Sequence, residues 1–127
     1  MDMTQVIVVD DDLTNVTLTK MLLELEGFEV IGCTNLIQAQ AASSAQTKGY
    51  VVDINLARGE NGLDLLRMIR AGATAGAANS VVIITSGDYR REQEAIAAGA
   101  DKFLFKPYAP GDLPKLLKTL IEGGAYE

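Results

Sequence analysis

A chain of 127 residues with 48% apolar side chains is long enough to bury one core, and the absence of histidine excludes a histidine-dependent triad. One cysteine, Cys33, excludes an internal disulfide and, without histidine, a zinc centre; it reads as a small packed thiol. A net charge of -6 argues against a direct nucleic-acid binder, no apolar run approaches the roughly 20 residues of a membrane helix, and no secretory signal is visible, so a cytoplasmic protein is expected.

Apolar runs alternate with helical patterns, which predicts an α/β fold. The first strand, Val6-Ile7-Val8-Val9, runs into Asp10-Asp11-Asp12. Leu18, Met21, Leu22 and Leu25 then recur at i, i+3, i+4, i+7, which predicts one buried helical face, and Gly27 is a stop signal. Phe28 to Cys33 reads as a second strand, and Asn35 as the cap of an alanine-rich helix over Leu36 to Ala45. Tyr50 to Ile54 is the third strand and Leu63 to Arg70 the third helix; the small residues from Ala71 to Asn79 read as its fraying end and a loop. Val81 to Thr85 is the fourth strand. The fourth helix, about Arg90 to Ala98, has Ile96 as its large apolar anchor and is expected to dock loosely. Lys102 to Phe105 is the fifth strand. A fifth helix carries Leu113, Leu116, Leu117 and Leu120 at helical spacing, with Pro114 in its first turn.

In an open parallel sheet, ligands bind outside the carboxyl ends of the strands. Four such ends carry chemistry here: Asp10-Asp11, Asp53, Thr85 and Lys106-Pro107. Crowded carboxylates repel, at about 4 kcal/mol per pair at 4 Å and an effective dielectric near 20. A hard divalent cation relieves that repulsion; Mg²⁺ prefers one or two carboxylates with waters and phosphate oxygens. An aspartate carboxylate is a competent nucleophile toward phosphorus. The Thr85 hydroxyl and the Lys106 ammonium suit phosphoryl oxygens. Asp12 reads either as part of this set or as a helix cap.

These pieces, in this order and spacing, resemble the receiver domain of two-component response regulators, of the chemotaxis-receiver kind. The resemblance covers essentially residues 1–127 as one domain, with Gly62 and Ala98-Gly99-Ala100-Asp101 as further landmarks. It implies a flavodoxin-like three-layer α/β sandwich with a five-stranded parallel sheet in the order 2-1-3-4-5. It implies that Asp10, Asp11, Asp53 and the backbone carbonyl of Asn55 hold Mg²⁺. Asp53 would accept a phosphoryl group from the phosphohistidine of a sensor kinase or histidine phosphotransfer protein. Thr85 and Lys106 would bind its oxygens, and Thr85 and Phe103 would switch the surface of helix four, strand five and helix five toward a downstream protein. Any transfer and hydrolysis would be self-catalysed, so the chain is expected to be a signalling receiver and not an enzyme.

Three departures from the family pattern stand out. Ala57 occupies a position where a proline is usual, in a loop that looks one residue longer. Phe103 has no hydroxyl, and Gly87, two residues beyond Thr85, has no side chain to shield a phosphoryl group. Two rival readings compete. Asp10-Asp11-Asp12-Leu13-Thr14 fits the Asp-x-Asp-x-Thr signature of haloacid-dehalogenase-type Mg²⁺-dependent phosphatases, with Asp10 as nucleophile. That reading leaves Asp53 without a purpose, and no acidic pair follows Lys106. A flavin-binding flavodoxin-like protein would need a phosphate-cradling loop where three carboxylates stand.

Overall fold

The computed structural model describes residues 3–123. Five parallel strands form one sheet in the order β2-β1-β3-β4-β5: β1 (Thr4–Val9), β2 (Phe28–Cys33), β3 (Thr47–Asp53), β4 (Val81–Ser86) and β5 (Lys102–Phe105). Five helices alternate with them: α1 (Leu13–Leu25), α2 (Leu36–Ala42), α3 (Gly62–Arg70), α4 (Glu92–Ala97) and α5 (Asp112–Glu122). The expected α/β architecture and strand order are those observed. The central strands are continuous β-branched runs because helices cover both faces. One core packs Ile7, Val9, Tyr50, Val52 and Ile84 under α2, α3 and α4, through Ala39, Leu63, Leu66 and Ala95. The other packs Val6, Val8, Val51 and Ile83 against Leu23 of α1 and Leu113 and Leu117 of α5.

Three local expectations are corrected. The Leu18, Met21, Leu25 stripe of α1 faces outward, at 54%, 55% and 81% exposure, and only Leu22 of the four is half-buried. The inward residues are Val16 and Leu23. Gly32 of β2 makes room for Val16, since a Cβ there would lie 2.6 Å from its methyl carbon. The α2 helix ends at Ala42, because Ser43 is extended (φ -66°, ψ 139°) and its hydroxyl turns back to Ala39 O and the buried Tyr50 hydroxyl. The anchor of α4 is Ala95, fully buried, while Ile96 is 47% exposed. A 3₁₀ turn, Tyr89–Arg91, precedes that short helix.

The 71–80 loop is held at two points. Gly76 packs against the Tyr50 hydroxyl, and the Arg70 guanidinium donates to the carbonyls of Ala78 (2.8 Å) and Ser80 (2.6 Å). The same guanidinium reaches Gly99 O and Asp101, and Gly99 adopts φ +109°, a conformation that favours glycine.

Candidate functional site

The parallel register brings the chemistry to one edge. Asp53 is the last residue of β3 and pairs with Thr85 of β4, while Ser86 pairs with Phe105. Asp10 follows β1, and its N–H donates to Cys33 O at 3.1 Å. Its Oδ1 accepts the Asp12 N–H at 3.0 Å, so the chain turns at once. That turn lets adjacent Asp10 and Asp11 face the same volume, against strict strand alternation. One carboxylate oxygen each from Asp10, Asp11 and Asp53 lies within 4.8 Å of the others. Asp12 is directed elsewhere: it caps α1, accepting from the N–H groups of Thr14 (2.9 Å) and Asn15 (3.4 Å).

Lys106 closes the cluster. Its Nζ donates to Oδ2 of Asp10 and Oδ2 of Asp53, both at 3.2 Å. Its backbone N–H is bonded to Ser86 O at 2.8 Å, which aims the side chain back across the strand ends. The Lys106-Pro107 bond, whose isomer the sequence left open, is cis. Asp10 and Asp53 are buried, at 8% and 9% exposure. Burial raises the Asp53 carboxyl above its ordinary pKa; the Lys106 charge opposes this, Asp10 adds to it, and the Asn55 N–H opposes it. Burial also works against the Lys106 charge, yet the two carboxylates outweigh it and hold the ammonium above its ordinary value. One cation is shared between two acids, and Asp11 adds a third. The pocket is short of positive charge, which is the condition that favours a divalent cation.

The loop after Asp53 is built to approach it closely. Gly62 opens α3 at a point where a Cβ would collide with the Asp53 carbonyl. Gly62 N–H donates to Ile54 O, and Leu56 N–H to Glu60 O, making a small bridge between Asn55 and Asn61. Those bonds consume neither the N–H nor the carbonyl of Asn55. The N–H turns to Asp53, and the carbonyl stays available to a ligand. At the tip of this loop Arg58 adopts φ 61° in the left-handed region. Glu60 ties the loop to α2 by accepting the Leu36 N–H at 3.2 Å.

Thr85 is buried beside Asp53, and Gly87 is exposed with open space around its missing side chain. Phe103 is not at the acidic edge. It pairs with Ile84 and packs, half-buried, against the core beneath α4. Sequence reasoning passed over Tyr108, which is half-buried and lines a groove with Asp10, Asn15, Leu18, Lys106 and Pro107. Burial raises its phenol above the ordinary value. The available signal was an aromatic directly after Lys-Pro at a strand end. Cys33 is buried, and burial raises its thiol, in keeping with a packing role.

An acidic cleft with one nucleophilic carboxylate, a neighbouring hydroxyl and a cation can hold a metal and accept a phosphoryl group. The family model for the response regulator receiver domain matches residues 6–118. Among curated relatives, the chemotaxis protein CheY1 of Helicobacter pylori (strain ATCC 700392 / 26695) is 28% identical over 120 residues, 92% of this chain and 96% of that protein. The probable transcriptional regulatory protein SilR of Salmonella typhimurium is 32% identical over 123 residues, 94% of this chain and 52% of that longer protein. Among solved structures, a CheY-like response regulator receiver domain protein from Methanospirillum hungatei JF-1 superposes with a TM-score of 0.83 at 25% identity, over 95% of each chain. The BeF3-activated DrrB receiver domain superposes with a TM-score of 0.82 at 24% identity, over 95% of this chain and 99% of that one.

Proposed function

The chain belongs to the response regulator receiver domain family, and from that membership and the strand-end geometry we propose that Asp53 is its phosphoryl acceptor. The observation that carries the assignment is the placement of Asp53 against Asp10 and Asp11 with the Lys106 ammonium at 3.2 Å. A carboxylate oxygen of Asp53 attacks the phosphorus of a partner's phosphohistidine. The P–O bond forms, the P–N bond breaks, and the imidazole nitrogen keeps the electron pair. Lys106 exchanges one carboxylate partner for a phosphoryl oxygen, and the Thr85 hydroxyl donates to another. Water later attacks the same phosphorus and restores the carboxylate. Asp10, Asp11, Asp53 and the Asn55 carbonyl are the groups that would hold Mg²⁺, which supplies positive charge facing the phosphoryl oxygens.

Phosphorylation adds about -1.5 to -2 charge at Asp53. The response is a shift between two arrangements of the α4–β5–α5 surface, begun by Thr85 and Lys106 and felt by the packing of Phe103. Residues 1–127 act as one receiver unit in the cytoplasm, whose only chemistry is its own phosphoryl transfer and hydrolysis. Its partners are a sensor histidine kinase or a histidine phosphotransfer protein, and a downstream protein, without direct contact to nucleic acid or membrane. One observation supports a protein partner: the Leu18, Met21, Leu25 stripe of α1 faces outward, and its Leu18 lines the groove that also holds Asp10 and Lys106. Among the described residues, no helix is long and apolar enough to cross a membrane.

The phosphatase alternative is not favoured. Its signature needs the second aspartate in the cleft, and Asp12 caps α1 instead. The deciding experiment treats the protein with acetyl phosphate and Mg²⁺, traps the acyl phosphate with borohydride and maps the label by mass spectrometry. Label at Asp53 alone is the expected result. Label at Asp10 would overturn the assignment.

A further inference from the structure

Phe103 and Phe105 lie two apart on β5, so their side chains share one face of the sheet. Phe103 is covered by the core under α4, but Phe105 stands at the strand end and is 47% exposed. What meets Phe105 is Tyr89, from the 3₁₀ turn after β4: the rings pack edge to face, centroids 6.0 Å apart and planes at 86°. Tyr89 is itself 68% exposed, so this contact is made at the rim and not in the core.

The turn carrying Tyr89 follows Ser86, which is held to β5 through the Lys106 N–H, and beyond Ser86 it is bonded mainly to itself. The Ser86 hydroxyl accepts the Asp88 N–H at 3.0 Å, the Asp88 carboxylate accepts the Arg90 N–H at 3.0 Å, and the Arg91 N–H donates to Asp88 O at 3.1 Å. Gly87, with open space where a side chain would stand, is the natural pivot. Beyond it α4 buries a single residue, Ala95, so the helix offers little resistance to a displacement arriving through the turn.

We propose that the Tyr89–Phe105 contact is the latch of the resting state, parted when phosphorylation draws Thr85 toward the acidic edge and carries the 87–91 turn with it, pivoting at Gly87 while Ser86 stays paired with β5. This inference rests on the phospho-acceptor reading of Asp53. It assigns the readout of that event to a pair of rim aromatics, which supplement the hydroxyl-free Phe103. Separation uncovers the ring of Phe105 further, and so changes the apolar character of the β5 end of the surface without moving the core.

The test is aromatic NMR of ring-labelled tyrosine, with the Tyr89 signal assigned through Tyr89→Phe and its ring-current shift through Phe105→Leu. Beryllofluoride with Mg²⁺ should move the Tyr89 signal of the parent to where Phe105→Leu places it in the resting protein. Tyr89→Ala, harmless to the core because the side chain is exposed, should move resting α4 amides part of the way to their activated positions, and Tyr89→Phe should not. A Tyr89 signal unmoved while the Thr85 and Lys106 amides shift would overturn the latch and leave the phospho-acceptor reading standing. No shift at Thr85, Lys106 or Tyr89 would overturn both.

Discussion

The Lys106 ammonium and the Asp53 carboxylate, 53 positions apart in the chain, meet at 3.2 Å across the carboxyl edge of the sheet. Lys106 is therefore already engaged by the carboxylate proposed as the phosphoryl acceptor. Lys106→Ala should leave Asp53 able to accept a phosphoryl group but should disconnect that event from the α4–β5 surface. Amide shifts on α4 and β5 with and without beryllofluoride measure this, and shifts as large as the parent's would contradict it. Without metal, the variant should also lose about 1–3 kcal/mol of stability, the scale of a hydrogen bond to a charged group.

Asp10→Asn and Asp11→Asn should each weaken Mg²⁺ binding by about tenfold or more, a loss at least as large as disturbing an outer partner of a metal ligand. In chelator the same substitutions should leave the fold as stable as the parent or more so, since they ease carboxylate repulsion. Calorimetric titration with MgCl₂ and urea unfolding in EDTA separate the two effects. Parent-like affinity in both variants would show that the metal lies elsewhere.

The raised pKa of Asp53 has a defined sign. The folded state holds the proton more tightly than the unfolded chain, so stability falls as pH rises from the ordinary carboxylate value of 3.8 through the folded value. The loss is complete once the pH is well above the folded value. In metal-free buffer Asp53→Asn should be more stable than the parent at pH 7, and the gap should close on acidification toward that ordinary value. Urea midpoints of both proteins over the acid range test it; a gap that widens as pH falls has the wrong sign.

Gly87, two residues beyond Thr85, has open space where a side chain would stand. On the phospho-acceptor reading of Asp53, that space would leave the phosphoryl group open to in-line attack by water. Gly87→Tyr and Gly87→Glu fill open space and should slow loss of the Asp53 phosphate, by an expected several-fold. Decay of the labelled protein after removal of the phosphodonor gives the rates. Rates equal to or faster than the parent's in both variants would remove the shielding argument.

Gly62→Ala should damage fold and site together. The added methyl meets the Asp53 carbonyl, a backbone atom with no freedom to move aside without displacing the acceptor. A destabilisation of about 1–3 kcal/mol, typical of overpacking, is expected together with slower phosphorylation by acetyl phosphate. Parent-like behaviour in both measurements would mean that the loop gives way easily.

Strand and turn chemistry carried most of what could be read in advance. The apolar runs ending in Asp10, Asp53, Thr85 and Lys106 declare themselves locally, because strand content and sheet edge follow from adjacent residues. Alternation with helices then makes the strands parallel, while their order 2-1-3-4-5 came from the family resemblance. The outward turn of Leu18, Met21 and Leu25 was not legible in the same way. Helical periodicity reveals a stripe but not its rotation about the axis, and here that rotation follows from the Asp12 cap and from the space above Gly32. The choice of Asp11 over Asp12 for the cleft, the anchoring of α4 by Ala95 and the meeting of Tyr89 with Phe105 likewise depend on which way a turning backbone points its side chains. Sequence alone determined which groups reach the carboxyl edge; only the tertiary packing decided which of them touch, because contact depends on the phase and direction of each element against its neighbours.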